Sequence, residues 1–203
     1  MTVHAVVVGP SVDNTYNQTD SLGQRLNIDQ NVPFVLAPGT YIATDFTFFA
    51  TGASALTTPF LVINSDAAVP NPSGDIDSYR IIASGTTRSV APVAGTNTVQ
   101  TVPFGGDFSF TLTATTKVFA GVASGSADQS QGNAIGWKTG GVVDHHNPQM
   151  TQFTPTVGGT IPTFTNPDLA RTYGFNITVI PEPASAALLT MGGMLLLARR
   201  RQS

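Results

Sequence analysis

The chain has 203 residues, of which 41% are hydrophobic and only 10% charged, with a net charge of −3, three histidines and no cysteine. Without cysteine there is no disulfide framework, thiolate metal site or cysteine nucleophile. The basic residues form no stripe ahead of the C-terminus. That argues against nucleic acid as a partner, because neutralising phosphates takes clustered Lys and Arg.

Glutamate occurs once, at Glu182, and lysine twice, at Lys117 and Lys138, whereas Thr, Ser, Gly, Ala and Val abound. Two of the strong helix formers are therefore nearly missing. The length before the C-terminal tail suits one sizeable core and does not require two. Residues 1–10 carry no basic n-region, and Ala5-Val6-Val7-Val8 is too short for the apolar stretch of a signal peptide. The expectation is that the natural start lies upstream and that Val3 to Val8 is the first strand of the domain.

Ser11 to Asn31 is polar and turn-rich and reads as a surface loop. A short apolar run, Val32 to Ala37, precedes a Pro38-Gly39 turn and a strand over Tyr41 to Phe49. There, strict alternation groups Ile42, Thr44, Phe46 and Phe48 on one face and Ala43, Asp45 and Thr47 on the other. Pro59 to Asn64 is a continuous apolar run of strand length. Tyr79 to Ala83 is a strand with Arg80 outward if Tyr79 and Ile81 point inward. Strands over Thr98 to Phe104 and Asp107 to Ala114 follow, separated by Gly105-Gly106. In the second, Phe108, Phe110 and Leu112 alternate with Ser109, Thr111 and Thr113. A turn at Thr115-Thr116 into Lys117 to Ala123 predicts an antiparallel hairpin.

Ala134 to Lys138 is a short strand around Trp137, the only tryptophan, and residues 140–159 are irregular. Tyr173, Phe175, Ile177 and Val179 alternate with Gly174, Asn176 and Thr178 as the last strand. About nine or ten short strands with frequent Gly and Pro breaks predict an all-β fold. The expected form is an antiparallel β-sandwich, jelly-roll-like or immunoglobulin-like, over residues 1–179.

Few constellations carry chemistry. Asp144-His145-His146 offers imidazole and carboxylate together, the palette of a metal-assisted hydrolase. Neighbours on an extended segment face opposite ways, so at most one histidine joins Asp144 at a given ion. Asp75 and Asp77 lie two apart in an oxygen-rich loop where calcium is the fitting cation, although Asp, Asn and Pro are also ordinary turn residues. Trp137 is the candidate for stacking against a glycan. There is no Gly-x-Ser-x-Gly elbow and no Gly-rich phosphate loop. The readings that stand are a non-enzymatic structural or adhesive module, a glycan-binding module, or a metal-assisted hydrolase using Asp144, His145 and His146.

The most specific signal is the end of the chain, residues 180–203. Pro181-Glu182-Pro183 leads into Ala184 to Ala198, which has no charged residue, and then Arg199-Arg200-Arg201. As a helix, residues 184–198 would span about 22 Å, somewhat short of the hydrocarbon core. The arginines predict that this end stays cytoplasmic. In their order and terminal position these three parts resemble the PEP-CTERM sorting signal of exported bacterial proteins. The resemblance implies processing at Pro181, Glu182 and Pro183 by an exosortase-type enzyme. It also implies a short transmembrane helix over residues 184–198 in the inner membrane and a cytoplasmic stop at Arg199, Arg200 and Arg201. The precursor would sit in the inner membrane and the mature protein at the cell surface or outside the cell, often in a setting of extracellular polysaccharide. An ordinary C-terminal anchor that is never cut is the alternative.

Overall fold

Segments rich in Thr, Val, Ile and Phe, punctuated by Gly, Pro and Asp, favour pleated half-buried strands over helices. The described residues of a computed structural model, 4–15, 18–21, 26–28, 34–50, 55–64, 79–90, 98–124, 134–139, 145–146, 154–161, 167–168 and 171–182, contain strands and no helix. In chain order the strands are β1 (Val6–Val8), β2 (Gln18–Ser21), β3 (Leu26–Ile28), β4 (Phe34–Leu36), β5 (Gly39–Ala50) and β6 (Ala55–Asn64). Next come β7 (Tyr79–Ser84), β8 (Arg88–Val90), β9 (Thr98–Pro103), β10 (Ser109–Leu112) and β11 (Thr116–Ser124). The last are β12 (Ala134–Thr139), β13 (His145–His146), β14 (Thr160–Ile161), β15 (Pro167–Asp168), β16 (Arg171–Tyr173) and β17 (Phe175–Pro181).

All the pairings are antiparallel. One sheet runs β1-β17-β5, with β9 and β10 sharing the far edge of β5, and β12 joins near Ala50 with β2 and β16 beside it. The other runs β14-β7-β6-β11, with β8 continuing the β7 edge and β3 and β4 lying along β11. One buried cluster takes side chains from both sheets. Phe46, Phe48, Phe110, Leu112, Phe175 and Ile177 come from the first, and Leu61, Ile63, Ala83, Val118, Ala120 and Val122 from the second.

The second sheet is buried on its other face too, where Phe60, Val62, Tyr79, Ile81, Phe119 and Ile161 form a separate cluster. This explains the unbroken apolar run of β6, since a strand covered on both faces has no polar side to alternate with. As the alternation predicts, Tyr79 and Ile81 are buried and Arg80 is exposed.

Three expectations are corrected. The stretch from Ser11 to Asn31 is not all loop, because it contains β2 and β3. β10 and β11 do not form a hairpin: β10 pairs with β5 and β11 with β6, so residues 113–115 carry the chain between sheets. Strict alternation also fails in β5. Tyr41, Ala43, Phe46 and Phe48 are the core residues, while Ile42, Asp45 and Thr47 are half-buried.

The cause of that failure is a bulge. Thr178 pairs with Asp45 but Val179 pairs with Ala43, leaving Thr44 as the extra residue. A bulge opposes two residues to one and shifts the parity of the side chains beyond it. Here it coincides with the changeover from β9 to β10. The Phe104 amide donates to the Thr44 carbonyl at 2.7 Å, and the Ala43 amide donates to the Phe108 carbonyl at 2.8 Å. Phe104 and Phe108 fold into the core edge to face, ring centroids 4.9 Å apart.

Candidate functional site

The C-terminal motif begins inside the first sheet. β17 carries past Val179 to Pro181, where Ile180 pairs with Ile42 and Pro181 with Tyr41. The next amide, Glu182 N–H, donates to the Thr40 carbonyl at 2.9 Å, while the Glu182 side chain is exposed. The expected boundary after residue 179 thus falls within a continuous strand. Proline is tolerated here because the amide that bonds to β5 is that of Glu182, and β1 stops opposite Val179, so the missing N–H of Pro181 interrupts no ladder.

Tyr41 holds the opposite position firmly. Its hydroxyl donates to the Ala37 carbonyl at 2.9 Å, and its ring stacks on Phe110 at 5.4 Å. On the other side of β17, β1 pairs with Ile177 to Val179. The N-terminal segment is pinned next to it by the buried Asn176, whose side-chain amide donates to the Pro10 carbonyl at 2.7 Å. Gly9 fits there with a φ of 111°, and a Cβ on it would lie 2.9 Å from the Phe175 carbonyl oxygen. Pro183 and Arg199, Arg200 and Arg201 lie outside the described residues, as does the apolar run 184–198. Among the described residues no helix is long and apolar enough to cross a membrane.

A second feature is a half-open cleft of about 230 Å³ where β10 crosses toward β11 beside β7. Its apolar floor includes Ile63, Ile82 and Leu112, and its rim carries Arg80, Thr111, Thr113 and Thr116. The turn closing one side is fixed by backbone bonds from Gly158 N–H to the Ile81 carbonyl and from Ile81 N–H to the Gly159 carbonyl, both 2.9 Å. Two of the hydroxyls are engaged: Thr116 donates to the Ala114 carbonyl at 2.8 Å, and Thr111 shares a 3.1 Å bond with Thr40. A guanidinium among hydroxyls suits holding a small anion. None of the residues lining the cleft is a carboxylate, histidine or serine, so it offers no general base or activated nucleophile.

The remaining candidates are only partly placed. His145 and His146 form β13, paired in register with Asp168 and Pro167. The acid opposite His145 is therefore Asp168, which sequence spacing gave no reason to choose; Asp144 lies outside the described residues, as do Asp75 and Asp77. Among the described residues no three His, Cys, Asp or Glu gather as a metal site. Trp137 lies in β12, paired with Tyr173 on one side and Gln18 on the other. Its neighbour Lys138 reaches the Thr15 hydroxyl at 3.5 Å.

In the same network the Asp13 carboxylate accepts from both the hydroxyl and the amide of Thr15. Those bonds, with a smaller contribution from Lys138, hold the Asp13 carboxyl below its ordinary value. No family model, curated protein or solved structure matches the chain.

Proposed function

We propose that this is an exported bacterial surface or extracellular-matrix protein of structural or adhesive type. In this reading it is sorted through its C-terminal Pro-Glu-Pro, apolar segment and arginine cluster. The observation that carries the reading is the order of parts at the chain's end. A last strand passes directly into Pro181-Glu182-Pro183, followed by the uncharged run 184–198 and Arg199 to Arg201. The tail would hold the precursor in the inner membrane until an exosortase-type enzyme removes it.

We read the domain as a β-sandwich of the jelly-roll kind. Counted as passages through the shared core, β1 is the first, β3 with β4 the second and β5 the third. β6 and β7 are the fourth and fifth, β9 with β10 the sixth, β11 the seventh and β17 the eighth. One sheet then reads first-eighth-third-sixth and the other second-seventh-fourth-fifth, the jelly-roll order. That favours it over an immunoglobulin-like arrangement. Such a fold serves many functions, so the adhesive reading rests on the sorting tail.

The test is the intact mass of the protein recovered from the envelope and medium of an exosortase-bearing host, for the wild type and Glu182→Gln. Loss of the residues after the motif in the wild type alone is expected. A full-length tail retained by both would overturn the sorting reading in favour of a permanent anchor.

A further inference from the structure

We infer that the folded domain gates the processing of its own tail, an inference that rests on the sorting reading above. Of the three motif residues only Glu182 has a backbone N–H, because proline has none. That single amide is already bound to the Thr40 carbonyl. The residues just ahead of it, Ile180 and Pro181, are paired with Ile42 and Tyr41.

An enzyme that grips a peptide as an extended strand does so through main-chain hydrogen bonds. On this chain the sheet and the enzyme compete for the same backbone. Processing therefore acts on a minor state in which the end of β17 has separated from β5 as far as Ile180. The net reaction is transfer of an acyl group to an acceptor H–X, water or an amine: X joins the carbonyl carbon and H goes to the departing nitrogen. The gate leaves that chemistry unchanged. It sets the fraction of molecules that present the bond, and apparent affinity falls by that fraction.

Two features set the strength of the gate. Tyr41 is fixed by its stacking on Phe110 and its bond to Ala37, so the β5 side does not yield easily. The motif end of β17 is paired on one edge only among the described residues, since β1 stops opposite Val179. Opening is thus confined to the last residues and leaves the core closed, with local opening costing less than global unfolding.

The test inserts Gly-Ser-Gly-Ser between Ile180 and Pro181, which keeps the motif and tail intact but moves them off the sheet. Two quantities are measured on the full chain. One is hydrogen exchange at the Glu182 amide, and the other is the rate of tail loss in a pulse-chase with the exosortase-bearing host. The expected result is a protected Glu182 amide in the wild type, fast exchange in the insertion variant, and tail loss about 2- to 10-fold faster in the variant. That range is the population change that one net backbone hydrogen bond gives. Equal rates of tail loss, or an unprotected amide in the wild type, would overturn the gate while leaving the sorting reading in place. No tail loss from the wild type or the insertion variant would overturn the sorting reading, and the gate with it. An unchanged thermal midpoint in the insertion variant establishes that the domain is still folded.

Discussion

Gly121 on β11 lies directly opposite Phe60 on β6, and a Cβ on Gly121 would fall 2.3 Å from the Phe60 ring. The ring covers the glycine because the outer face of the second sheet is packed, with Phe60 fully buried among Val62, Tyr79 and Phe119. The ring belongs to a core residue and has little room to move. Gly121→Ala is expected to destabilise the domain by about 1–3 kcal/mol through overpacking. Adding Phe60→Leu should recover part of the loss, giving a non-additive double-mutant cycle in urea unfolding. Additive effects would mean that the two residues do not meet.

Asn176 is a buried polar side chain with a structural task. Asn176→Ala removes the bond to the Pro10 carbonyl and leaves that buried acceptor without its donor, at a cost of about 1–3 kcal/mol. Hydrogen exchange over residues 11–15 should speed up in this variant more than exchange in β6. A uniform increase would indicate global destabilisation instead.

The Arg80 cleft separates floor from rim. Leu112 is buried in the main cluster, so Leu112→Ala is expected to cost about 2–5 kcal/mol. Arg80 is exposed, and Arg80→Gln should stay within about 0.5 kcal/mol of wild type. Chemical unfolding of the two variants checks both values. A large loss on replacing Arg80 would show a structural ion pair rather than an open cation.

Asp13 gives the pH dependence a sign. Its carboxyl is lowered from 3.8 mainly by the Thr15 hydroxyl and amide, so the folded state favours the ionised form. The stabilisation is fully present above the ordinary value and is lost as pH falls through the lower folded value. Asp13→Asn should therefore melt below wild type near neutral pH and converge with it in acid. Because the group is exposed, the difference should be small and shrink further in high salt. A gap that persists in acid would point to lost packing.

Alternation in the sequence was enough to place several strands, including β5, β10 and β17, because apolar and polar residues in strict turn give a strand two unlike faces. What it missed depends on pairing. The bulge at Thr44 reverses the parity of β5 so that Ala43, not Ile42, joins Phe46 and Phe48 in the core. No residue type marks that position. Likewise Phe110 and Leu112 share the core with Val118, Ala120 and Val122, as a hairpin would require, but the two sets lie on different sheets and meet across the core rather than side by side. A hairpin and a crossover between sheets bury the same faces. The Arg80 cleft was equally hidden, since it draws on β6, β7, β10 and the turn before β14. The motif at Pro181 to Pro183 was legible as a string; its attachment to Thr40 and Tyr41 was not.

The placement of β17 also decides how the molecule would bear mechanical tension. A pull arriving from beyond Glu182 runs along the axis of a strand held on both sides, by Val6 to Val8 of β1 and by residues 41–48 of β5. Once the end pairs have given way, the remaining bonds on both flanks carry the load together rather than in succession. Strands stressed lengthwise in this way must slide past both neighbours at once. The domain is thus built to yield first at its terminal residues and then to resist.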